Sequence, residues 1–243
     1  MFNYHNKSVY EPSHDFIRSM CLNRDFTKES EAGTLKKNSK EAIVSAAISL
    51  FNTKGFSGTS IRDIAGKAQT NPANIAYYFE NKHGLLEYCF TAFFEGYIQE
   101  IEKGVAFLEQ GAALSLKKMA QNIMVYQFEH SHLTRLILRE ISIDSQVVRE
   151  IMSTYLAKEK FYLGKVLERG MKTKEFRIHS ANYMIVQLKG LLSMPFLNTH
   201  YMSEVLHVFP HEKYFADKYT KEIFNWVDGV LCNHGGKSYA AVL

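Results

Sequence analysis

Apolar residues recur at helical spacing along most of the chain. Ile43, Val44, Ala47, Ile48, Leu50 and Phe51 form one stripe between Lys40 and Lys54, and Gly55 follows as the expected C-cap. Ile61, Ile64, Ala65 and Ala68 repeat the spacing over a shorter second helix. Gln69-Thr70-Asn71-Pro72 interrupts the pattern, and Pro72 opens a third helix ending at Phe79, because its fixed φ suits a first helical turn. From Lys82 to Gly104 the stripe is long and strongly apolar: Leu85, Leu86, Cys89, Phe90, Phe93, Phe94, Tyr97, Ile98 and Ile101. That exceeds what three short helices need, so this helix is expected to lead into a second helical domain. There the spacing predicts helices near 112–131, 133–142, 145–171, 178–197 and 211–233, with Gly170, Pro195 and Pro210 marking ends or kinks. With only four prolines in 243 residues, the fold class is all-α.

Residues 1–34 carry no sustained period. They read as an extension outside the fold, either a disordered arm or upstream sequence from a start codon set too early. The expected division is therefore 1–34 extension, 35–82 head, and 83–243 linking helix plus second helical domain.

Thr59 or Ser60 can cap the second helix, since a hydroxyl accepts from the orphan amides of a first turn. Two short helices joined by a tight turn, the second ending in aromatics, are the layout of a helix-turn-helix. Charge sharpens this. The chain has 29 basic and 25 acidic residues; seven and three of them fall between Leu35 and Lys82, and the remainder balance at 22 each. The positive surplus lies in the head, where DNA phosphates require it. Base edges are read from the N-terminus of a recognition helix, which here is Pro72, Ala73 and Asn74. Asn74 suits adenine; Pro72 and Ala73 suit a thymine methyl. Phosphate contacts are expected from Lys36, Lys37, Thr59, Ser60, Arg62, Tyr77, Tyr78 and Lys82, which carry hydroxyls or cations. For one of Tyr77 and Tyr78, core packing is the equal alternative; Phe56 and Phe79 read as core.

GFSGTSIRDIA, then NPANIAYYFENKHGLL, resembles the DNA-binding head of TetR-type regulators, the Tyr-Tyr-Phe run followed three residues later by lysine being its most specific part. The resemblance implies a homodimer on palindromic double-stranded DNA, with regulation through tilting of the linking helix. It also implies a four-helix dimer seam, for which Ile185, Leu188 and Leu192 with Phe215, Tyr219, Ile223 and Val227 are the candidates. The alternative, that both stripes pack inside one subunit, stays open.

REIMSTYLAKEKFYLGKVLERGMK and QLKGLLSMPFLNTHYMSEVLHVFPHEKYF resemble the RefZ-like branch of that family, over about Lys36 to Asn233. This implies DNA sites near the chromosome origin, the division protein FtsZ as a partner, and a role in cell division during sporulation. The second domain would then be a surface for dimerisation and protein contact. Arg135, Arg139 and Glu140, set into the apolar run LTRLILREISI, are the candidate partner patch, against a solvated helix face or an internal ion pair. The competing function is a ligand-responsive repressor, its Met, Phe and Tyr residues lining a small-molecule inducer pocket.

Catalysis has little support. Glu129-His130-Ser131-His132 lacks the four-residue histidine spacing of a helical metal site and a third ligand. Glu140 and Asp144 read as solvated charges, and neither a glycine-rich phosphate loop nor a nucleophile elbow is present. No enzyme, cofactor or metal is expected. Cys89 and Cys232 read as buried thiols and Cys21 joins no motif. With no apolar run near the ~20 residues of a membrane span and no signal-peptide pattern, the expected setting is the cytoplasm, on the nucleoid.

Overall fold

A computed structural model describes residues 31–143, 146–178 and 180–232, excluding the side chains of 31–38, 146 and 147. Nine α-helices carry these residues: α1 Glu31–Lys54, α2 Ile61–Lys67, α3 Pro72–Phe79, α4 Lys82–Val105, α5 Ala112–Glu129, α6 Ser131–Ile143, α7 Gln146–Lys172, α8 Ala181–Leu197 and α9 Lys213–Trp226. Wider π-helical turns occupy Tyr201–Val205 and Val227–Leu231. A single antiparallel bridge between Phe176 and Cys232 is the sole extended pairing among the described residues. The all-α expectation holds, and helix ends in the second half fall within three residues of those predicted at their starts. Gly170 departs from it: α7 runs on to Lys172, and Gly170 serves packing, since a Cβ there would meet the Phe176 ring. None of the described helices is long and apolar enough to cross a membrane.

The chain divides into two compact units, one running to Phe93 and including His130–Ile137, the other holding Phe94–Glu129 and the chain from Leu138 onward. In the first, the predicted stripe of α1 is the core: Ile43, Val44, Ala47, Ile48 and Phe51 are fully buried. Gly55 ends α1 as expected, at φ 78° with its N–H on the Phe51 carbonyl. Only a residue without a Cβ adopts that backbone cheaply. Asn52 bridges α1 to α6 by donating from Nδ2 to the His132 carbonyl at 2.8 Å.

In the second unit, α4 and α7 share a ladder of contacts. Phe94 stacks on Tyr155, the Tyr97 hydroxyl donates to Glu159 at 2.7 Å, and the Tyr162 hydroxyl donates to Glu102. Glu159 is buried and is also held by Lys189 of α8. Burial, then the neighbouring Glu159 carboxylate, pushes the Tyr97 phenol well above its ordinary pKa. Close helix approaches need glycine: a Cβ on Gly96 would lie 2.5 Å from the Tyr126 oxygen, and one on Gly104 would lie 2.6 Å from the Met119 backbone nitrogen. Glu175 caps α5 by accepting from the Ala112 and Ala113 amides at 2.9 and 2.8 Å.

Burial bears on three expectations. Leu188, Leu192, Ile223 and Val227, assigned to a seam between copies, are buried within the single chain. Ile185, Phe215 and Tyr219 are half-buried, and the Tyr219 hydroxyl donates to the Leu191 carbonyl. Apolar residues line two faces of α8, and the second, with Tyr183, Val186, Met194 and Leu197, faces solvent; spacing alone does not tell which face turns inward. Glu140 is buried and pairs with Arg139 at 3.2 Å, while Arg135 is exposed and belongs to the first unit. The Arg139–Glu140 contact is the internal ion pair weighed against a partner patch. Cys89 is buried as expected, but Cys232 is only half-buried.

Candidate nucleic-acid interface

The helix-turn-helix is assembled from local hydrogen bonds. Ser60 is the N-cap of α2: its Oγ accepts from the Asp63 amide at 3.1 Å, and the Asp63 carboxylate accepts from the Ser60 amide and hydroxyl at 2.9 and 2.6 Å. This reciprocal capping satisfies two amides that a helix start leaves without partners. Lys54 adds an ion pair to Asp63 at 3.0 Å. The Ser60 hydroxyl and amide, then Lys54, hold the Asp63 carboxyl well below the usual carboxylate range.

Between α2 and α3 the chain turns without glycine. Gln69 takes φ 52°, its amide bonds the Gly66 carbonyl, and the Thr70 amide bonds the Ala65 carbonyl at 3.0 Å. Those two bonds make a Schellman turn, whose left-handed position usually carries glycine. Asn71 then caps α3, its Oδ1 accepting from the Ala73 amide at 2.8 Å. Pro72 at the first helical position loses nothing by lacking an N–H.

The three residues expected at base edges hold the first turn of α3. Pro72 and Ala73 are exposed. Asn74 is half-buried, and its Nδ2 donates to Thr70 Oγ1 at 2.7 Å. That bond fixes the amide plane while leaving a second N–H and Oδ1 for a base edge, so Asn74 is pre-oriented. At the far end Tyr77 is 71% exposed and lies edge-on to the half-buried Tyr78, ring centroids 5.0 Å apart. Tyr77 is thus the more exposed of the two. Phe79 is buried against Tyr88.

The phosphate candidates separate into distinct groups. Arg62 and Tyr77 are exposed. Ser60 is exposed, but its hydroxyl proton is given to Asp63, so the start of α2 already holds an anion. Thr59 is corrected to a structural role: it is 1% exposed, and its Oγ1 donates to the Gly55 carbonyl at 2.8 Å. Burial and that bond put the hydroxyl out of a phosphate's reach. Lys82 is half-buried, its Nζ donating to the Phe56 and Thr59 carbonyls at 2.9 Å each and sitting 4.4 Å over the Phe56 ring. It therefore closes the turn before α2 as well as carrying charge. Lys36 and Lys37 lie on α1, with side chains outside the described residues.

Sequence reasoning passed over Asn71, Gln69, Glu80 and Asn81. Glu80 takes φ 62°, and the Asn81 amide bonds the Phe79 carbonyl two residues back at 2.6 Å; Asn81 Oδ1 then caps α4 through the His83 and Gly84 amides. Gly84 is obligatory, because a Cβ would come within 2.1 Å of the Phe79 carbonyl oxygen. The Asn-Pro and Asn-Lys pairs carried the capping signal; the left-handed Gln69 and Glu80 had none. Among the described residues no cluster of three His, Cys, Asp or Glu side chains is placed to hold a metal.

Residues 43–89 match the family described as bacterial regulatory proteins, tetR family. Over 198 residues the chain is 44% identical to the probable HTH-type transcriptional regulator YttP of Bacillus subtilis, covering 81% of this chain and 96% of that protein. Among solved structures, a putative fatty acid metabolism regulator of Clostridium perfringens aligns with TM-score 0.66 at 19% identity, over 79% of this chain and all of that one. PfmR of Thermus thermophilus aligns with TM-score 0.65 at 17% identity, over 79% of this chain and 99% of that one. At such identities the structural likeness speaks for the fold alone. The fold, the helix-turn-helix and the near full-length relative agree: the chain belongs to the TetR family of bacterial regulatory proteins and is a DNA-binding transcriptional regulator of that type.

Proposed function

We propose that the protein binds palindromic double-stranded DNA as a homodimer in the cytoplasm, on the nucleoid, and that its second unit makes protein contacts. In this reading it regulates cell division during sporulation in the RefZ manner, acting on FtsZ from sites near the chromosome origin. Pro72, Ala73 and Asn74 read bases; Arg62 and Tyr77 hold phosphates, with Tyr78, Ser60 and Lys82 as secondary or structural contributors. The solvent-facing stripe Tyr183, Val186, Met194 and Leu197 on α8 is the better candidate for the dimer seam, being exposed and apolar in one copy.

The observation that most supports a protein-contact role is the close packing of α4 against α5 in the second unit. Gly96 and Gly104 let Tyr126 and Met119 approach to contact distance. Depressions of about 690 and 540 Å³ open on the surface of α7 and are lined mainly by charged and small residues. An inducer site is ordinarily enclosed and apolar. The second reading, a ligand-responsive repressor, draws support from the buried Tyr97–Glu159 pair, joined by the half-buried Lys189, a polar anchor of the kind a ligand site uses.

Genome-wide footprinting separates the two. Palindromes clustered around the replication origin and away from promoters are expected for the first. One operator beside the protein's own or a neighbouring gene would overturn it in favour of the second.

A further inference from the structure

The exposed face of α7 combines an apolar floor with cationic walls. Phe161 is 64% exposed, a large aromatic left in water. It lies where the two depressions meet, since both are lined by Ala157 and Phe161. One runs along Gly164 towards Ile185 of α8; the other runs back to Ser153. From Ser153 to Lys172 this trough spans roughly 28 Å at the helical rise of about 1.5 Å per residue. Its walls carry Lys158, Lys160, Lys165, Arg169 and Lys172 against Glu109 and Glu168. The nearest opposite charges there, Arg169 and Glu109, are 3.8 Å apart, and Glu109 is 88% exposed. Such a pair contributes little and leaves Arg169 open to another carboxylate.

We propose that this trough docks an acidic amphipathic segment of a partner protein, with apolar residues over Phe161, Ala157 and Gly164 and carboxylates against the flanking lysines and Arg169. The inference rests on the reading of the second unit as a protein-contact module. Charge complementarity selects the occupant. A second copy meeting itself here about a two-fold axis would bring like-charged walls together. Nucleic acid would leave Phe161 and the apolar floor without a partner. A small molecule would remain largely solvated in a trough open along its length. Length, an aromatic anchor and flanking cations are the features of a groove for a peptide helix.

The test uses the full chain. A displayed library of amphipathic 18-residue peptides with variable charge is selected on the wild-type protein and counter-selected on Phe161→Ala. Enriched peptides are expected to be acidic, with apolar residues three and four apart. Their affinity should fall on the order of tenfold or more for Phe161→Ala, as for loss of an interface anchor, and similarly for Lys165→Glu/Arg169→Glu, while rising salt weakens binding. Operator binding by both variants should match wild type, which shows that they fold. Three outcomes overturn the proposal: no enrichment above the Phe161→Ala counter-selection, enrichment of neutral or basic peptides, or a change in the variants' oligomeric state or non-specific DNA affinity in place of peptide affinity. Footprinting is independent of the trough, so a failed docking result leaves the division reading standing, and the reverse.

Discussion

The two units hold their helices by different means. In the head, α2 has seven residues and α3 eight, too short to persist on propensity. Each is fastened by side chains reaching local backbone: Ser60 and Asp63 on α2, Asn71 on α3, Asn81 on α4, and Lys82 across the preceding turn. In the second unit α7 has 27 residues, and what fixes the helices is which face is covered. Capping is local chemistry and leaves a local mark in the sequence. The choice of face is a tertiary outcome and leaves none.

The largest expected effect tests that choice. Leu188→Ala should destabilise the second unit by about 3 kcal/mol, since it empties a buried site. Val186→Asp, two residues away on the exposed face, should change the stability of a single copy by no more than about 0.5 kcal/mol while weakening self-association. Chemical denaturation and light scattering read the two quantities. If Val186→Asp unfolds the protein and Leu188→Ala does not, the faces of α8 have been assigned backwards.

Next comes helix proximity. Gly104→Ala places a methyl against the Met119 backbone, which cannot move aside as a side chain would. A cost of about 2–3 kcal/mol is expected, typical of overpacking. Gly190→Ala has nothing within 4 Å of the new methyl and should stabilise α8 by roughly 0.5–1 kcal/mol through helix propensity. Equal melting temperatures for the two variants would show that α4 and α5 are not closely packed.

In the head, Lys82→Ala removes two hydrogen bonds from an ammonium to buried-side carbonyls and should cost about 2 kcal/mol of stability. Lost DNA affinity in this variant therefore does not by itself identify a phosphate contact. The slope of affinity against salt does: one fewer phosphate contact flattens it by about one counterion. A flatter slope with unchanged stability would return Lys82 to the DNA surface alone.

Much of this architecture was legible beforehand. The stripe of α1, the turn before Pro72, the length of α4 and the helix succession beyond it followed from spacing and from Gly and Pro positions. The division of labour among site residues was less so. Thr59 and Ser60 look interchangeable as caps, and only the fold shows Ser60 at the cap and Thr59 facing inward. Lys82 reads as a free cation until the Phe56 and Thr59 carbonyls arrive beside it, 26 and 23 residues back along the chain. Among the dimer candidates on α8, Leu188 and Leu192 lie on the buried one of two apolar faces, with Val186 and Leu197 on the exposed one.

The capping box carries a pH signature. The folded pKa of Asp63 lies below its unfolded value of 3.8, so the folded head binds its proton less readily than the unfolded chain. Its contribution is complete well above pH 4, and it is lost as pH falls through 3.8 towards the lower folded value. Asp63→Asn should abolish that component: the difference between wild type and variant should be full at pH 6 and shrink steadily as pH falls below 3.8 in thermal melts. A constant difference across the range would mean that the carboxylate is not what fastens α2.

The smallest expected effect concerns the turn that sets α3 against α2. Gln69 occupies a left-handed position that costs a residue with a Cβ about 1 kcal/mol. Gln69→Gly removes that cost but adds freedom to the unfolded chain, so a net gain of about 0.5 kcal/mol is expected. The DNA measurement is more decisive than the stability one. Gln69 is exposed and lies three residues before Pro72. If Gln69→Gly stabilises the head and operator affinity stays the same, the glutamine is a neutral occupant of the turn. If affinity for the operator falls while non-specific binding holds, Gln69 contributes to recognition and the backbone strain is kept for it. The recognition surface then begins before α3, in a turn whose sequence carries no sign of its conformation.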